Sequence, residues 1–380
     1  MRRMIIGTIV MLSSYVVANF YIAIRLFQGV TLAFPYLNAK VYAGIYIFIA
    51  LSMFVRYLPV PYGVKSVINW IGTHWMGIYV FLLLLFLITD ILILLGRITT
   101  VIPSPIPRGL RFWSVLSVIA LATALMAFGK NNANKIRSVS YYIPLNESTF
   151  TDELKIVLIA DLHFGYSTAE KDLPKIVQGI NELEPDIVCI AGDIFNDDIN
   201  LMRDPETAID LLKSINSKYG VYACLGNHDG GRTFPEMQRF LERSDIILLN
   251  DEHITIDDRI NLVGRLDSSP IGGFGGLERI DITDVMASSS QSLPNIVMDH
   301  NPAHLEEYGN EFDLLLFGHT HVGQFIPINL ITKLMFTVDY GYYQKDSDSP
   351  HTIVTSGVST WGIPIRIGTN NEIVSIIIRR

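Results

Sequence analysis

The stretch Lys155-Ile156-Val157-Leu158-Ile159-Ala160-Asp161-Leu162-His163 decides how this chain is read. Its aliphatic and β-branched run has the composition of a strand covered on both faces, and it ends abruptly in an acid and an imidazole. The pattern recurs downstream. Asp186–Ala191 runs into Gly192-Asp193, Val221–Leu225 into Gly226-Asn227-His228-Asp229, Asn295–Met298 into Asp299-His300-Asn301-Pro302, and Leu314–Phe317 into Gly318-His319-Thr320-His321. Five of the nine histidines fall in these clusters, a concentration that random placement does not give. Further strand-like runs lie at Ile246–Leu249, Ile260–Val263, Thr352–Thr355 and Ile373–Ile378. Helical stretches lie between them at Ala169–Leu183, Pro205–Ser217, Pro235–Ser244 and Ala303–Tyr308. Alternation of this kind predicts an α/β domain whose site gathers at the carboxyl ends of the strands.

The residue types at those ends suit a pair of divalent cations. Such a pair, roughly 3.5–4 Å apart, needs a bridging carboxylate, terminal imidazoles and hard oxygen donors. Residues two apart on a regular strand share a face, so Asp161 with His163 and His319 with His321 converge if strand geometry persists that far. Otherwise irregular turns must aim them. The glycines beside Asp193, Asn227 and His319 allow close backbone approach. Taken singly, each of these acids and histidines reads as a turn residue, a helix cap or a core side chain; the cluster is what carries the signal.

Working outward to the amino-terminal side, the character changes. The whole chain of 380 residues is 49% hydrophobic and 17% charged with a net charge of −8, too apolar for an ordinary water-soluble protein. Up to Asn146, twelve Lys and Arg stand against one acid, Asp90; the remainder carries 17 basic and 36 acidic residues. A basic apolar half followed by an acidic mixed half predicts a membrane segment over 1–130, a polar linker over 131–150 and a catalytic domain over 151–380. Apolar stretches near Met4–Leu26, Val41–Leu58, Trp70–Leu95 and Phe112–Phe128 predict about four transmembrane helices of a multi-pass cell-membrane protein. The first stretch reads as an anchor and not a leader peptide, because its apolar run is long and no small-residue cleavage site follows cleanly. The bias of Lys and Arg between alternate connections favours a cytoplasmic catalytic domain. Asp90 falls late in the third span, two turns before Arg97, and is expected to be hydrated or paired. The acidic half speaks against a nucleic-acid polymer as partner. Cys189 and Cys224 sit in apolar runs and read as packing residues, forming neither a disulfide framework nor a metal pattern.

The ordered set Asp161-x-His163, Gly192-Asp193, Gly226-Asn227-His228-Asp229, His300 and Gly318-His319-Thr320-His321 resembles the calcineurin-like metallophosphoesterases, over essentially Lys155 to Ile378. Its last motif continues as Val322-Gly323-Gln324, with Ser356-Gly357 and Pro364-Ile365-Arg366 beyond, and so looks like a membrane-associated subgroup marked by GHTH-x-GQ. The resemblance implies a four-layer αββα sandwich. It implies one metal on Asp161, His163, Asp193 and His321, and a second on Asp193, Asn227, His300 and His319, with Asp193 bridging. The ions would be Mn, Fe or Zn, and a metal-bridging hydroxide would attack phosphorus in line. His228 would stabilise charge or protonate the leaving oxygen, and Asp229 would orient it. Two departures, Val322 where relatives often have Gly and Asn371-Glu372-Ile373 where they have Pro-Glu-Ile, touch the rim and not the ligands.

Gln324 and Asn301 are rim candidates, and Asn301 also suits the cap of the turn before Pro302. Asp197 and Asp198 read as a solvated helix start or as supports of the site. His253, His304 and His351 match no motif position and read as structural. The expected function is a membrane-anchored, binuclear phosphohydrolase acting on a phosphoester or pyrophosphate, with tethering suggesting a lipid-linked or nucleotide-lipid substrate. Two readings compete with it: a nucleotide phosphodiesterase with helices for placement only, and an inactive metal-binding sensor. Complete ligand sets speak against the sensor.

Overall fold

The computed structural model describes residues 2–57, 61–145, 153–165, 169–290 and 292–379, and divides into two compact units, Met1–Phe128 and Gly129–Arg380. Leu58 of the second expected span and residues 146–150 of the expected linker lie outside the described residues.

The first unit is built from α1 (Arg2–Ala33), α2 (Ala39–Leu51), a 3-10 turn at Ser52–Tyr57, α3 (Tyr62–Ile98) and the start of α4 (Arg108–Ala133). Three helical stretches, Ile6–Ala33, Gly63–Ile98 and Arg108–Ala133, are long and apolar enough to cross a membrane. The second expected span is shorter. Asn38 caps α2 by accepting from Lys40 N and Val41 N, and after 13 residues the helix tightens to 3-10 at Ser52. At about 1.5 Å per residue α2 reaches roughly 20 Å, short of the roughly 30 Å hydrocarbon layer. On α1, Val17 and Phe20 are each 68% exposed, the surface a lipid solvent covers. Polar groups are spent between helices: the Tyr15 hydroxyl donates to Ala50 O and the Tyr46 hydroxyl to Asn19 O. Asp90 is paired, and its partners come from α1 and not from Arg97. Arg25 lies 2.5 Å away, and the Tyr21 hydroxyl donates at 2.6 Å.

The second unit runs β1 (Ile136–Pro144), β2 (Leu154–Ile159), α5 (Ala169–Glu182), β3 (Ile187–Ala191), α6 (Pro205–Lys213), β4 (Val221–Cys224), α7 (Phe234–Arg243), β5 (Ile246–Leu248) and β6 (Glu252–Ile256). It continues with β7 (Ile260–Gly264), α8 (Ile282–Val285), β8 (Asn295–Met298), β9 (Leu314–Phe317), α9 (Ile328–Met335), β10 (Gly341–Tyr343), β11 (His351–Val354) and β12 (Asn371–Arg379). Two six-stranded sheets form, ordered β1-β12-β2-β3-β4-β5 and β10-β11-β9-β8-β7-β6.

The pleat explains the layers. Ile156 and Leu158 of β2 point between the sheets, where they meet Leu262, Ile296, Met298, Leu314 and Leu316. Val157 and Ile159 point the other way, onto Leu173, Ile176 and Ile180 of α5, Leu212 of α6 and Phe240 of α7. Val263, Val297, Leu315 and Phe317 on the far face of the second sheet are covered by Ile282 and Val285 of α8 together with Tyr308 and Phe312. Two sheets between helical layers make the expected αββα sandwich. Cys189 and Cys224 are buried free thiols between the sheets, as their apolar runs predicted.

The expected linker is corrected by β1. It pairs parallel with β12 from Ile136↔Asn371 to Pro144↔Arg379, burying Ile143 while Arg137 and Ser138 stay exposed. Its polar content reflects an edge strand with one wet face, and the sheet partner lies more than 200 residues away in sequence.

Candidate metal centre

Every cluster identified at a strand end lies just past a strand, and the strands stop short of the side chains that matter. β2 ends at Ile159 and β9 at Phe317, so regular alternation does not aim Asp161, His163, His319 or His321. Irregular turns do. Asp161, His163, Asp193, His319 and His321 all hold left-handed backbone, with φ of 60°, 52°, 51°, 72° and 47°. Such residues cost on the order of 1–3 kcal/mol each and persist only where the surroundings dictate them. The surroundings here are backbone ladders between loops: Asp161 N donates to Gly192 O, His163 N to Asp193 O and Gly318 N to His300 O. Gly226 is required by close approach, because a Cβ there would stand 2.2 Å from Asp193 Oδ1.

The loops bring together two groups of ligand-type atoms, each lying within 4.8 Å of one another. One is Asp161, His163 and His321; the other is Asp193, His300 and His319. In the first, His321 Nε2 lies 3.1 Å from His163 Nε2 and 3.3 Å from Asp161 Oδ1. In the second, His300 Nε2 lies 3.2 Å from Asp193 Oδ2 and 3.2 Å from His319 Nδ1. Asp193 Oδ2 is also 3.6 Å from His163 Nε2, which puts one carboxylate oxygen between the groups. The other oxygen, Oδ1, accepts from His228 N at 2.9 Å. Asn227 stands on the adjoining turn, and its buried Oδ1 has no hydrogen-bond partner among the described residues.

Electrostatics match. Burial pushes His163 down to about 3, and burial with the neighbouring His300 brings His319 down to about 4, so both imidazoles are neutral at neutral pH. Burial works against the charged form of Asp161, yet His321 beside it holds that carboxyl at about 2. Asp193 is likewise held well below the usual carboxylate range, with His300 outweighing burial. Burial opposes the charged form of His300 too, but the Asp193 charge raises that imidazole well above its ordinary value, so the neutral pair beside the ionised carboxylates is His163 and His319. Asp161 Oδ1 and Asn227 Oδ1 are orphaned, a cost of roughly 1–3 kcal/mol for each unsatisfied buried group. Divalent cations resolve that excess, and the oxygen and nitrogen donor set suits Mn, Fe or Zn. The residues fit the group.

Beside the groups, His228 carries its ring 5.2 Å from that of His163. Its Nδ1 meets Asp197 Oδ1 at 2.5 Å. Burial opposes its charged form, but the Asp197 hydrogen bond and the Asp193 charge raise the imidazole above its ordinary value. Asp229, expected to orient His228, does something else. Wholly buried, it accepts from Phe195 N at 2.7 Å and Gly226 N at 2.8 Å, tying the loop of Asp193 to that of Asn227. Burial and the Asp193 charge raise its carboxyl to about 7. The Asp229 side chain turns inward under the motif, whereas Asp197 arrives from the loop after β3, the neighbouring strand; its signal was the Gly192-Asp193-x-x-x-Asp197 spacing. Asp198 is the helix start, capping the turn at Ile199–Leu201.

The rim separates too. Asn301 caps the turn at Pro302–Glu307 through Ala303 N. Gln324 is buried and hydrogen-bonded to the backbone at Trp361 and Ile363. Val322 holds φ of 52°, the left-handed conformation that glycine adopts freely and a β-branched residue rarely does. Arg366, in the Pro364-Ile365-Arg366 stretch, is fully buried and donates to His321 O, Ser356 O and Ser359 O. His253, His304 and His351 bond to Val285 O, Ser268 and Tyr342, away from the groups.

Residues 154–323 match the calcineurin-like phosphoesterase family. An uncharacterized metallophosphoesterase of Campylobacter jejuni is 31% identical over 273 residues, covering 70% of this chain and 69% of that protein. A transmembrane protein with metallophosphoesterase domain from Danio rerio is 28% identical over 335 residues, 81% of this chain and 74% of the relative. A UDP-2,3-diacylglucosamine pyrophosphatase of Chlamydia trachomatis is 26% identical over 219 residues, 44% of this chain and 63% of the relative. Fold, ligand-type clusters and relatives agree: the chain belongs to the calcineurin-like phosphoesterase family and is a membrane-associated metallophosphoesterase.

Proposed function

We propose that the chain cleaves a phosphoester or pyrophosphate bond in a lipid-linked substrate, holding one divalent cation on Asp161, His163, Asp193 and His321 and a second on Asp193, Asn227, His300 and His319. The observation that carries the two-cation reading is Asp193 Oδ2, 3.6 Å from His163 Nε2 and 3.2 Å from His300 Nε2. When bound, the cations supply Lewis-acid charge for the phosphoryl oxygens and activation of water at neutral pH. The chain's own residues do the rest. His228 N holds Asp193 Oδ1 and leaves Oδ2 for the ions. Asp197 holds Nδ1 of His228, so that Nε2 is the atom able to give a proton to the leaving oxygen. Asp229 keeps the loops of Asp193 and Asn227 in register.

The lipid-linked substrate rests on α9. Five of its eight residues are apolar, yet none is buried, and Leu334 and Met335 are 89% and 69% exposed. The following Phe336 has its ring 6.0 Å from that of His319. An uncovered apolar helix this close to a candidate ligand suits an amphiphilic substrate. The Chlamydia trachomatis relative, a UDP-2,3-diacylglucosamine pyrophosphatase by name, points to the same class.

The Lys and Arg bias favours a cytoplasmic catalytic unit. With the amino terminus inside, that requires α2, extended by its 3-10 turn, to cross, since α1, α3 and α4 alone would put the unit opposite the amino terminus. A carboxyl-terminal reporter fusion active only outside the cytoplasm decides between the two.

The test of function is hydrolysis by detergent-solubilised full chain with Mn²⁺, against UDP-2,3-diacylglucosamine, nucleotides and bis(p-nitrophenyl) phosphate. Turnover of the lipid nucleotide that disappears in Asp193→Asn supports the proposal. Turnover of nucleotides alone would leave the phosphodiesterase reading in its place.

A further inference from the structure

Trp361 lies on the loop between β11 and β12, with its indole 50% exposed and its ring centroid 5.8 Å from that of His228. The backbone beneath it is tied at several points. Gln324 Oε1 accepts from Trp361 N at 2.8 Å, and Gln324 Nε2 donates to Trp361 O at 3.1 Å and Ile363 O at 2.7 Å. Two residues earlier, Ser359 O accepts from Arg366 Nη2 at 2.5 Å. Gln324 and Arg366 are themselves 6% and 0% exposed. Two buried polar side chains therefore hold in place a loop whose largest apolar side chain is left uncovered. A tryptophan kept for packing would bury its 150–250 Å² of surface, because that burial is most of what the residue contributes to stability. Here the fold holds the ring at the edge of the metal centre, on the side of the residue that serves the leaving oxygen.

We propose that Trp361 is the specificity residue on the leaving-group side: its indole face takes an apolar face of the group attached through the leaving oxygen. The shared chemistry is a flat or aliphatic surface directly beyond the phosphorus, whether an aromatic ring or the first carbons of an alkyl chain. The inference rests on the reading of His228 as proton donor to that oxygen.

The experiment is calorimetric titration of the Mn²⁺-loaded full chain in detergent with methyl-, phenyl- and hexylphosphonate, which the enzyme does not hydrolyse. The wild type is expected to bind phenyl- or hexylphosphonate about tenfold more tightly than methylphosphonate, whichever binds better identifying ring or chain. Trp361→Ala is expected to lose that preference while binding methylphosphonate within about twofold of wild type, and Trp361→Phe to keep most of it. A preference that survives in Trp361→Ala overturns the inference, as does an equal loss for all three ligands, the mark of a ring that only props His228. Absence of Mn²⁺-dependent methylphosphonate binding in the wild type would sink the metal-centre reading and this one with it. Normal methylphosphonate binding with no preference sinks this one alone. Melting curves of the variants, matched to wild type, exclude misfolding as the cause.

Discussion

Both units of the chain place carboxylates against basic or polar side chains, and they do so to opposite ends. In Met1–Phe128 the acid is answered within the protein: part-exposed Asp90 meets the Arg25 guanidinium with one oxygen and the Tyr21 hydroxyl with the other, so both its oxygens are satisfied and the result is helix held to helix. In Gly129–Arg380 the balance fails by design of the loops. Asp161 and Asp193 face imidazoles, two of them held neutral by burial, and acceptor oxygens are left over on Asp161 and Asn227. Balanced charge is structural, whereas a surplus of acceptors asks for a cation.

The contrast can be broken most sharply at the two carboxylates that define it. Asp193→Asn is expected to lower kcat/KM on bis(p-nitrophenyl) phosphate by about 10³-fold or more and to reduce bound Mn²⁺ measured by elemental analysis. Asp90→Asn should leave that rate within about twofold, since a helix-pairing acid touches no reacting atom. Equal losses in the two variants would erase the distinction.

His228→Ala is expected to reduce kcat by about 10²-fold or more. Asp197→Asn should fall by a smaller factor, about tenfold, because it acts through His228. Asp229→Asn, in turn, should show its effect as weaker metal retention more than as a lower rate with saturating Mn²⁺. If Asp229→Asn instead mimics His228→Ala with metal content intact, the expected orienting role returns.

Chelation sharpens the same contrast thermally. Removing divalent ions should lower the melting temperature of the catalytic unit, by a stability difference of about 3–4 kcal/mol when free metal had been 100–1,000 times its Kd. The helical far-UV signal of the first unit should not change. A catalytic unit indifferent to chelation would mean that the acceptor surplus has another remedy.

The smallest effect belongs to the helices. Tyr21→Phe removes one hydrogen bond to Asp90 and should cost about 0.6 kcal/mol in a detergent unfolding assay, the usual size of such bonds between membrane helices. A loss several times larger would mean that Asp90 is more than a fastener.

Much of this was legible in the chain itself. Buried parallel strands announce themselves as short aliphatic runs, so β2, β3, β4, β8 and β9 fall within a residue or so of the stretches that predicted them. The clusters behind them were visible because unlike ligand types recurred at the same structural place. Helices α5, α6 and α7 carry strong apolar stripes and were equally plain. What stayed hidden were elements whose local composition points elsewhere: β1, a polar-faced edge strand that exists through its pairing with β12, and α9, a short helix with no buried face.

Residue order alone settled the class of domain, the apolar character of the amino-terminal region and the inventory of ligand-type side chains, because each is a matter of local composition and period. Only the tertiary structure decided which acid serves which partner. Asp229 adjoins His228 in sequence and Asp197 lies 31 residues away, but side-chain direction depends on left-handed turns and on bonds between loops about 30 residues apart, such as His228 to Asp197 and Phe195 to Asp229. Pairing across space is set by backbone geometry that no single stretch encodes, and the same holds for Trp361, whose place beside His228 depends on Gln324 and Arg366 holding its loop.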